Sequence, residues 1–137
     1  MLSGKVVKIA DGDTFTLLVK GNLQVKVRLH GIDCPENGQP FGNNAKQFIS
    51  EKIFGKQIIV EIRQKDRYGR TVGIVLTDTG ENLNELLLQK GLAWHYKMHD
   101  KNPEWAALEK RARENGIGLW SYKDSMAPWD WRKNKRK

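Results

Sequence analysis

The chain has 137 residues, a net charge of +8 and a single cysteine. A domain of this length buries enough apolar surface to fold without cross-links, and one cysteine excludes an internal disulfide. No apolar run approaches the length of a membrane helix, so we expect no membrane association through a spanning segment. The basic excess favours polyanions such as nucleic acids, although excess lysine also serves solubility.

The first twenty residues predict a β-hairpin. Residues 5–9 alternate weakly between polar and apolar side chains, and residues 15–19 alternate again. Between them lies Asp11-Gly12, and an Asp-Gly pair between two apolar runs is a strong hairpin signal. Lys5 and Lys8 also stand where a signal peptide carries its apolar core, so no signal peptide is predicted in this chain.

A third strand follows, and it brings two carboxylates together. Apolar residues at every second position of 23–29 predict a half-buried strand with Arg28 on its polar face. We expect Pro35 to end this strand and Asp33 to lie at its end. Asp13 lies at the start of the second strand. Because the two strands are expected to be antiparallel, Asp13 and Asp33 should be neighbours in space.

The remaining elements complete an α+β pattern. We predict a helix over residues 45–53, strands over 57–63 and 71–77, a short helix near 83–87, and a last helix capped by Asn102 with Pro103 at its first position. A five-stranded OB-fold β-barrel with three α-helices is the simplest closure, because a barrel leaves few open edges. OB barrels often bind nucleic acid on one face.

We assign residues 1–122 to this domain and 123–137 to a basic C-terminal tail that contains Trp129 and Trp131. Two interpretations of the tail are open. The tryptophans and the basic run after them would bind nucleic acid without sequence specificity. Alternatively they pack on the body while the final charges stay disordered, and we prefer this second interpretation.

Four carboxylates gather in the first third of a basic protein: Asp11, Asp13, Asp33 and Glu36. Clustered carboxylates repel one another unless a cation or an arginine compensates them, and oxygen ligands favour a hard cation such as Ca²⁺ or Mg²⁺. Arg28 and Arg70 carry the forked donors that suit a phosphate. A metal, a carboxylate base and paired arginines together are the groups needed for phosphodiester hydrolysis.

Less specific interpretations stay open beside this one. The carboxylates and arginines are also compatible with a structural ion-pair network, and residues 33–36 alone with a polar turn. Histidine and cysteine ligate zinc, so a zinc site is also open, with these candidate ligands: His30, Cys34, His95 and His99. Nothing in the sequence brings His95 near the carboxylates, so we prefer the hard-cation interpretation.

Four motifs occur in order, and together they resemble the staphylococcal nuclease (thermonuclease) family. They are Ile9-Ala10-Asp11-Gly12-Asp13-Thr14, then residues 27–29 continued by Ile32-Asp33-Cys34-Pro35-Glu36, then Asp66-Arg67-Tyr68-Gly69-Arg70, then Gly91-Leu92-Ala93. The resemblance runs from about Lys5 to Trp120. It implies an OB-fold barrel and Ca²⁺-dependent cleavage of DNA and RNA to 3′-phosphate products.

The resemblance also implies a role for each matching residue. Asp13 and Asp33 would ligate calcium through their carboxylates, together with the backbone carbonyl of Cys34. Arg28 and Arg70 would hold the scissile phosphate, and Glu36 would act on the attacking water. Tyr68 and Tyr96 resemble the tyrosines that contact the nucleotide.

Cys34 and the loop after Glu36 depart from the family pattern. The family prototype has threonine at the position of Cys34, but a ligand that is a backbone carbonyl does not depend on the side chain. The loop after Glu36 is shorter in this chain than in the prototype. By resemblance we expect a secreted or periplasmic monomer. The alternative from another class is a catalytically inactive OB-fold module that only binds nucleic acid.

Overall fold

The computed structural model describes residues 1–122 and 125–135. The strands are β1 (Leu2–Asp11), β2 (Thr14–Val19), β3 (Leu23–Leu29), β4 (Ile32–Asp33), β5 (Gln57–Lys65), β6 (Thr71–Leu76) and β7 (Trp94–His95). The helices are α1 (Gly42–Ile53), α2 (Leu83–Gln89), α3 (Pro103–Glu114) and α4 (Pro128–Lys135), with a 3₁₀ turn over Gly118–Ser121.

Five strands close the predicted barrel in the order β1-β2-β3-β6-β5. Every pair around the barrel is antiparallel except β3 with β6, which is parallel. The barrel and the helices packed on it enclose one apolar core, whose largest fully buried side chains include Phe15, Leu17, Leu29, Ile49, Ile58 and Leu87. The α+β class and the OB-type barrel predicted from the alternating strands are therefore confirmed.

The third strand is shorter than predicted. β3 ends at Leu29, and the chain turns at Gly31, which has a φ of +74°. A Cβ atom at residue 31 would lie 2.8 Å from the Trp105 ring, so both the positive φ and the lack of space require glycine there. Asp33 consequently lies not at the end of β3 but in β4, which pairs with β7 in a separate two-stranded sheet. The alternation of apolar residues stops at Leu29, so the prediction of a strand that continues to Pro35 is wrong.

Four α-helices are present among the described residues, instead of the predicted three. The first three match the predictions, and Asn102 caps α3 by accepting hydrogen bonds from the backbone N–H groups of Glu104 and Trp105. The additional helix, α4, lies in the segment assigned to the tail. It has eight residues, a length at which helices are stable only through tertiary packing, so the local pattern did not indicate it. None of the described helices combines the length and hydropathy needed to cross a bilayer.

Candidate functional site

A cavity of about 670 Å³ opens at the end of the barrel where β2 begins and β3 ends. Seven side chains predicted as site residues line it: Asp13, Arg28, Asp33, Glu36, Tyr68, Arg70 and Tyr96. The eighth predicted residue, Cys34, was chosen for its backbone carbonyl, and its side chain is buried in the core. The structure thus brings residues 83 positions apart in sequence, from Asp13 to Tyr96, onto one concave surface.

The first wall of this cavity consists of Asp13, Arg28 and Asp33, and we call it the buried wall. Asp13 follows Gly12 in the predicted hairpin turn between β1 and β2. Its backbone carbonyl accepts a hydrogen bond of 2.9 Å from the N–H of Leu29. The register pairs the next residue, Thr14, with Arg28 on β3. The barrel register therefore places the Asp13 carboxylate beside the Arg28 side chain.

Arg28 bridges the two aspartates of the buried wall. Its Nη1 lies 3.0 Å from Oδ2 of Asp13, and its Nη2 lies 3.4 Å from Oδ1 of Asp33. Only 14% of the Arg28 side chain and 1% of the Asp33 side chain are exposed. The predicted meeting of Asp13 and Asp33 is confirmed, and a single guanidinium group connects them. Arg28 was predicted on a polar face, yet its partners bury it.

The carboxylates around Arg28 do not ionise equally. Burial alone would raise the pKa of Asp13, but the charge of Arg28 and a 2.8 Å hydrogen bond from the N–H of Cys34 hold that pKa below its usual value. Burial raises the pKa of Asp33 to about 6, and the charge of Asp13 adds to the rise. Burial and the same Asp13 charge raise the pKa of Asp11 to about 7. A further positive charge near these carboxylates would therefore favour their ionised forms.

The second wall is the turn of residues 66–70 between β5 and β6, and we call it the turn wall. The carboxylate of Asp66 accepts hydrogen bonds from the backbone N–H groups of Tyr68 and Arg70 and from Nε of Arg70 at 2.7 Å. Although partial burial raises it, the pKa of Asp66 is held below its usual value by these bonds. The Arg70 guanidinium lies 5.6 Å from the centre of the Tyr68 ring.

Tyr96 lies beyond the two walls, at the mouth of the cavity. Its ring is stacked on Trp129 of α4, with centroids 5.1 Å apart and planes within 9° of parallel. His99 meets the same tyrosine edge-on at 4.6 Å. Tyr96 therefore has one face covered by the chain itself, whereas Tyr68 is 69% exposed.

Arg132 of α4 is a site residue that the sequence did not indicate. Its Nη1 lies 2.7 Å from Oε2 of Glu36, and its Nη2 lies 2.8 Å from Oδ2 of Asp33. The residue stands within the basic run of the C-terminal segment, where charge alone could not distinguish it from its neighbours. Trp129 of the same segment packs on Tyr96, in agreement with the preferred interpretation of the tail, while Arg136 and Lys137 lie outside the described residues.

The zinc interpretation has no geometric support. His30 and His95 both approach the carboxylate of Asp100, at 3.4 and 2.7 Å, and the buried Cys34 lies apart from them. Within residues 1–122 and 125–135 no group of three or more His, Cys, Asp or Glu side chains is arranged to hold a metal ion. A metal in the cavity would therefore take at most two carboxylates from these side chains, and it would need backbone, water or substrate oxygens besides.

The donors that remain suit a hard cation. Asp13 and Asp33 supply carboxylate oxygens, and Cys34, whose backbone carbonyl is the third candidate donor, directly follows Asp33 in the sequence. Oxygen-only donors favour Ca²⁺ or Mg²⁺, which readily complete their coordination with water or substrate oxygens. Burial and the neighbouring charge of Asp13 raise the pKa values of Asp11 and Asp33, and a cation bound here would favour the ionised form of both carboxylates.

The cavity thus combines a carboxylate cluster with an arginine on each of its two walls, at one end of an OB-type barrel. A family described as Staphylococcal nuclease homologue matches residues 26–122 of the chain. That span contains Arg28, Asp33, Glu36 and Arg70. The chain belongs to the staphylococcal nuclease family.

Individual relatives agree with this assignment. A micrococcal nuclease of Shigella flexneri is 39% identical over 140 residues, which cover 95% of this chain and 80% of that protein. An uncharacterized endonuclease of Haemophilus influenzae is 39% identical over 96% of this chain and 74% of its own length. An uncharacterized 38.1 kDa protein of Capnoides sempervirens is 45% identical over 81% of this chain, but the match spans only 32% of that longer protein.

Proposed function

We propose that the protein is a calcium-dependent nuclease that hydrolyses phosphodiester bonds of DNA and RNA to 3′-phosphate products with little sequence specificity. The observation that carries the proposal is the single cavity that joins buried carboxylates, two arginines on opposite walls and a further carboxylate, Glu36. Membership of the staphylococcal nuclease family and the names of the relatives, a micrococcal nuclease and an endonuclease, support the same reaction.

Asp13, Asp33 and the backbone carbonyl of Cys34 would hold the calcium ion. Support comes from their hard oxygen donors and from the position of the two aspartates together on the buried wall of the cavity. A bound divalent cation supplies positive charge that offsets the charge of the phosphate during reaction. The chain offers few carboxylates for this ion, which leaves coordination positions for water and for a phosphate oxygen.

The chain's own residues account for the rest of the reaction. Arg28 and Arg70 bind the scissile phosphate, because their guanidinium forks match phosphate oxygens and stabilise charge that develops on them. Glu36 orients or deprotonates the attacking water. The water oxygen bonds to phosphorus, the bond to the 5′ oxygen breaks, and that oxygen leaves as a hydroxyl group after taking up a proton. The phosphate stays on the 3′ side of the break.

Low sequence specificity follows from what the cavity offers the substrate. Phosphate contacts fix position without reading bases, whereas sequence is read from base edges. Tyr68, with its exposed ring, is placed to stack on a base, and stacking tolerates any base. We assign Tyr96 to the same nucleotide-binding surface, where the ring face turned away from Trp129 is the one left for a base.

The decisive experiment is digestion of single-stranded DNA and of RNA with added Ca²⁺ and with excess chelator, followed by analysis of the product ends. We expect calcium-dependent cleavage that leaves 3′-phosphates. Glu36→Gln should lower turnover at least ~10²-fold, by analogy with the loss of one electrostatic stabiliser. Glu114→Gln, which changes an exposed glutamate outside the lining of the cavity, is the matched control and should keep the wild-type rate.

The competing function is a catalytically inactive OB-fold module that only binds nucleic acid. It would give salt-sensitive DNA binding that survives chelation and the loss of Glu36, with no cleavage under any condition. A wild-type rate in Glu36→Gln would instead show that Glu36 does not act in the reaction.

We further propose that the enzyme acts as a monomer outside the cytosol, in the periplasm or the medium. The support is chemical: a nuclease that needs calcium is inactive where free calcium is scarce, and its release from the cell protects the host's own nucleic acid. Fractionation of the producing cells and light scattering of the purified protein test these two points.

A further inference from the structure

The C-terminal segment of residues 125–135 forms part of the rim of the cavity. The Nε2 of Gln39 donates a 2.7 Å hydrogen bond to the carbonyl of Met126. Ala127 is buried, and Trp129 stacks on Tyr96 and meets Trp94 edge-on at 5.6 Å. These contacts dock α4 on the domain and do not involve Arg132, whose side chain points into the cavity and remains 35% exposed.

Glu36 lies on an irregular loop, and two different groups fix its backbone and its side chain. Gln39 fixes the backbone, because its side-chain oxygen accepts a hydrogen bond from the N–H of Glu36 and its own N–H donates to the Glu36 carbonyl. Among the described residues, Arg132 is the only side chain in hydrogen-bond contact with the Glu36 carboxylate. Without Arg132 the carboxylate would be free to rotate at the edge of the cavity.

The Arg132 fork joins two carboxylates of different proposed roles. Nη1 contacts Glu36 at 2.7 Å, and Nη2 contacts Asp33 at 2.8 Å. Since Asp33 is almost fully buried in β4, it provides a rigid reference point, and Arg132 transfers that rigidity to Glu36 on the loop. Charge-assisted hydrogen bonds of this length are the strong ones in proteins, and a planar fork adds orientation to their strength.

We propose that Arg132 is a positioning residue for the nuclease reaction, which holds the Glu36 carboxylate in a fixed place beside Asp33. The C-terminal helix is then part of the active site and not an accessory tail. The inference rests on the proposed function, because it assigns Arg132 a role only through Glu36. A misplacement of about 1 Å in a reacting group costs on the order of 10²-fold in rate, so the effect should be measurable.

The test is a set of steady-state measurements on short single-stranded DNA with saturating Ca²⁺. Arg132→Gln should lower kcat between ~10-fold and ~10²-fold with little change in KM, because substrate binding stays intact. Arg132→Lys should recover part of the loss, since it keeps one donor but not the fork. Lys133→Gln removes the same charge from an exposed neighbour and should behave as wild type.

A double mutant distinguishes positioning from direct contact with substrate. If Arg132 acts through Glu36, adding Arg132→Gln to Glu36→Gln should cost nothing further in kcat. The same pair is measured without catalysis, by thermal melting in chelator. There Glu36→Gln should lower the Tm of the wild type more than it lowers the Tm of Arg132→Gln, because the contact is already lost in the second background.

The outcomes separate this inference from the proposed function. An active wild type with an equally active Arg132→Gln variant overturns the inference and leaves the proposed function intact. A higher KM at constant kcat also overturns it and makes Arg132 a phosphate contact. Tighter Ca²⁺ binding by Arg132→Gln, with undiminished kcat, would make Arg132 a tethered cation that only occupies the place of the metal. A wild type that cleaves under no condition overturns both.

Discussion

Asp13 and Asp33 are carried by the closed barrel and its adjoining sheet and are almost wholly buried, whereas Arg70 and Tyr68 are carried by an exposed turn. The buried wall is held by contacts between elements: the Arg28 guanidinium of β3 spans Asp13 in the turn between β1 and β2 and Asp33 in β4. The turn wall is held by contacts within five residues, through the carboxylate of Asp66.

This difference shows that one cavity can combine a preorganised half with an adaptable half. In the buried wall the charges are fixed before any ligand arrives, and burial together with the charge of Asp13 raises the pKa of Asp33 in the folded protein. In the turn wall the Arg70 guanidinium is bound mainly to a local carboxylate near the surface. The same substitution should therefore have different consequences on the two walls.

The largest effect is expected for Arg28→Lys, on the buried wall. Lysine keeps the charge but cannot bond to Asp13 and Asp33 at once, so one buried carboxylate loses its partner. We expect turnover to fall at least ~10²-fold and the Tm to fall as well, because the same contacts serve catalysis and stability. Activity assays and melting curves in chelator measure the two effects. An unchanged Tm would mean that Arg28 contributes nothing to holding the wall together.

Arg70→Lys makes the same chemical change on the turn wall and should affect activity alone. The lost fork is expected to lower turnover ~10²-fold, as on the other wall, while the Tm stays close to that of wild type. Surface ion pairs such as that of Arg70 with Asp66 contribute little to stability, which is the reason for the difference. A matching drop in Tm for both variants would remove the distinction between the walls.

The buried wall was largely predictable because its geometry follows from short-range rules. The Asp-Gly turn fixes the hairpin, the alternation fixes the register, and the register brings Asp13 to Arg28. What was not predicted is the turn at Gly31, although the apolar alternation of residues 23–29 does not continue past it. The Trp105 ring and Asp100 pack where a side chain of residue 31 would lie, so the tertiary structure requires glycine at this turn.

Arg132 could not be predicted for a related reason. It lies 99 positions from Asp33, and eight residues of α4 carry no strong helical signal. The position of Arg132 depends on the stacking of Trp129 on Tyr96, which is a contact between two segments that no local sequence pattern relates. Local patterns specify strands and turns, whereas a side chain delivered by a docked terminal helix becomes visible only in the folded chain.

The smallest effect is expected in the pH dependence of two Asp→Asn variants, one at Asp11, which contacts Asp13 of the buried wall, and one at Asp66 on the turn wall. Burial and the neighbouring Asp13 raise the pKa of Asp11 from 3.8 to about 7, so the folded protein holds this proton more tightly than the unfolded chain. The stability that Asp11 contributes is complete below its unfolded pKa and is lost as the pH rises through about 7. Relative to wild type, the Tm of Asp11→Asn in chelator should therefore rise by a few degrees over this window.

Asp66 on the turn wall should respond in the opposite sense. Partial burial raises the pKa of Asp66, but hydrogen bonds from Arg70 and Tyr68 lower it by more. The stability that Asp66 contributes is therefore present above its unfolded pKa of 3.8 and is lost only as the pH falls below that value. Between about pH 4 and pH 7, the Tm of Asp11→Asn should rise relative to wild type, whereas the difference in Tm between Asp66→Asn and wild type should stay constant. Parallel pH profiles for the two variants would contradict this prediction, because they would mean that the pKa values of Asp11 and Asp66 do not shift in opposite directions on folding.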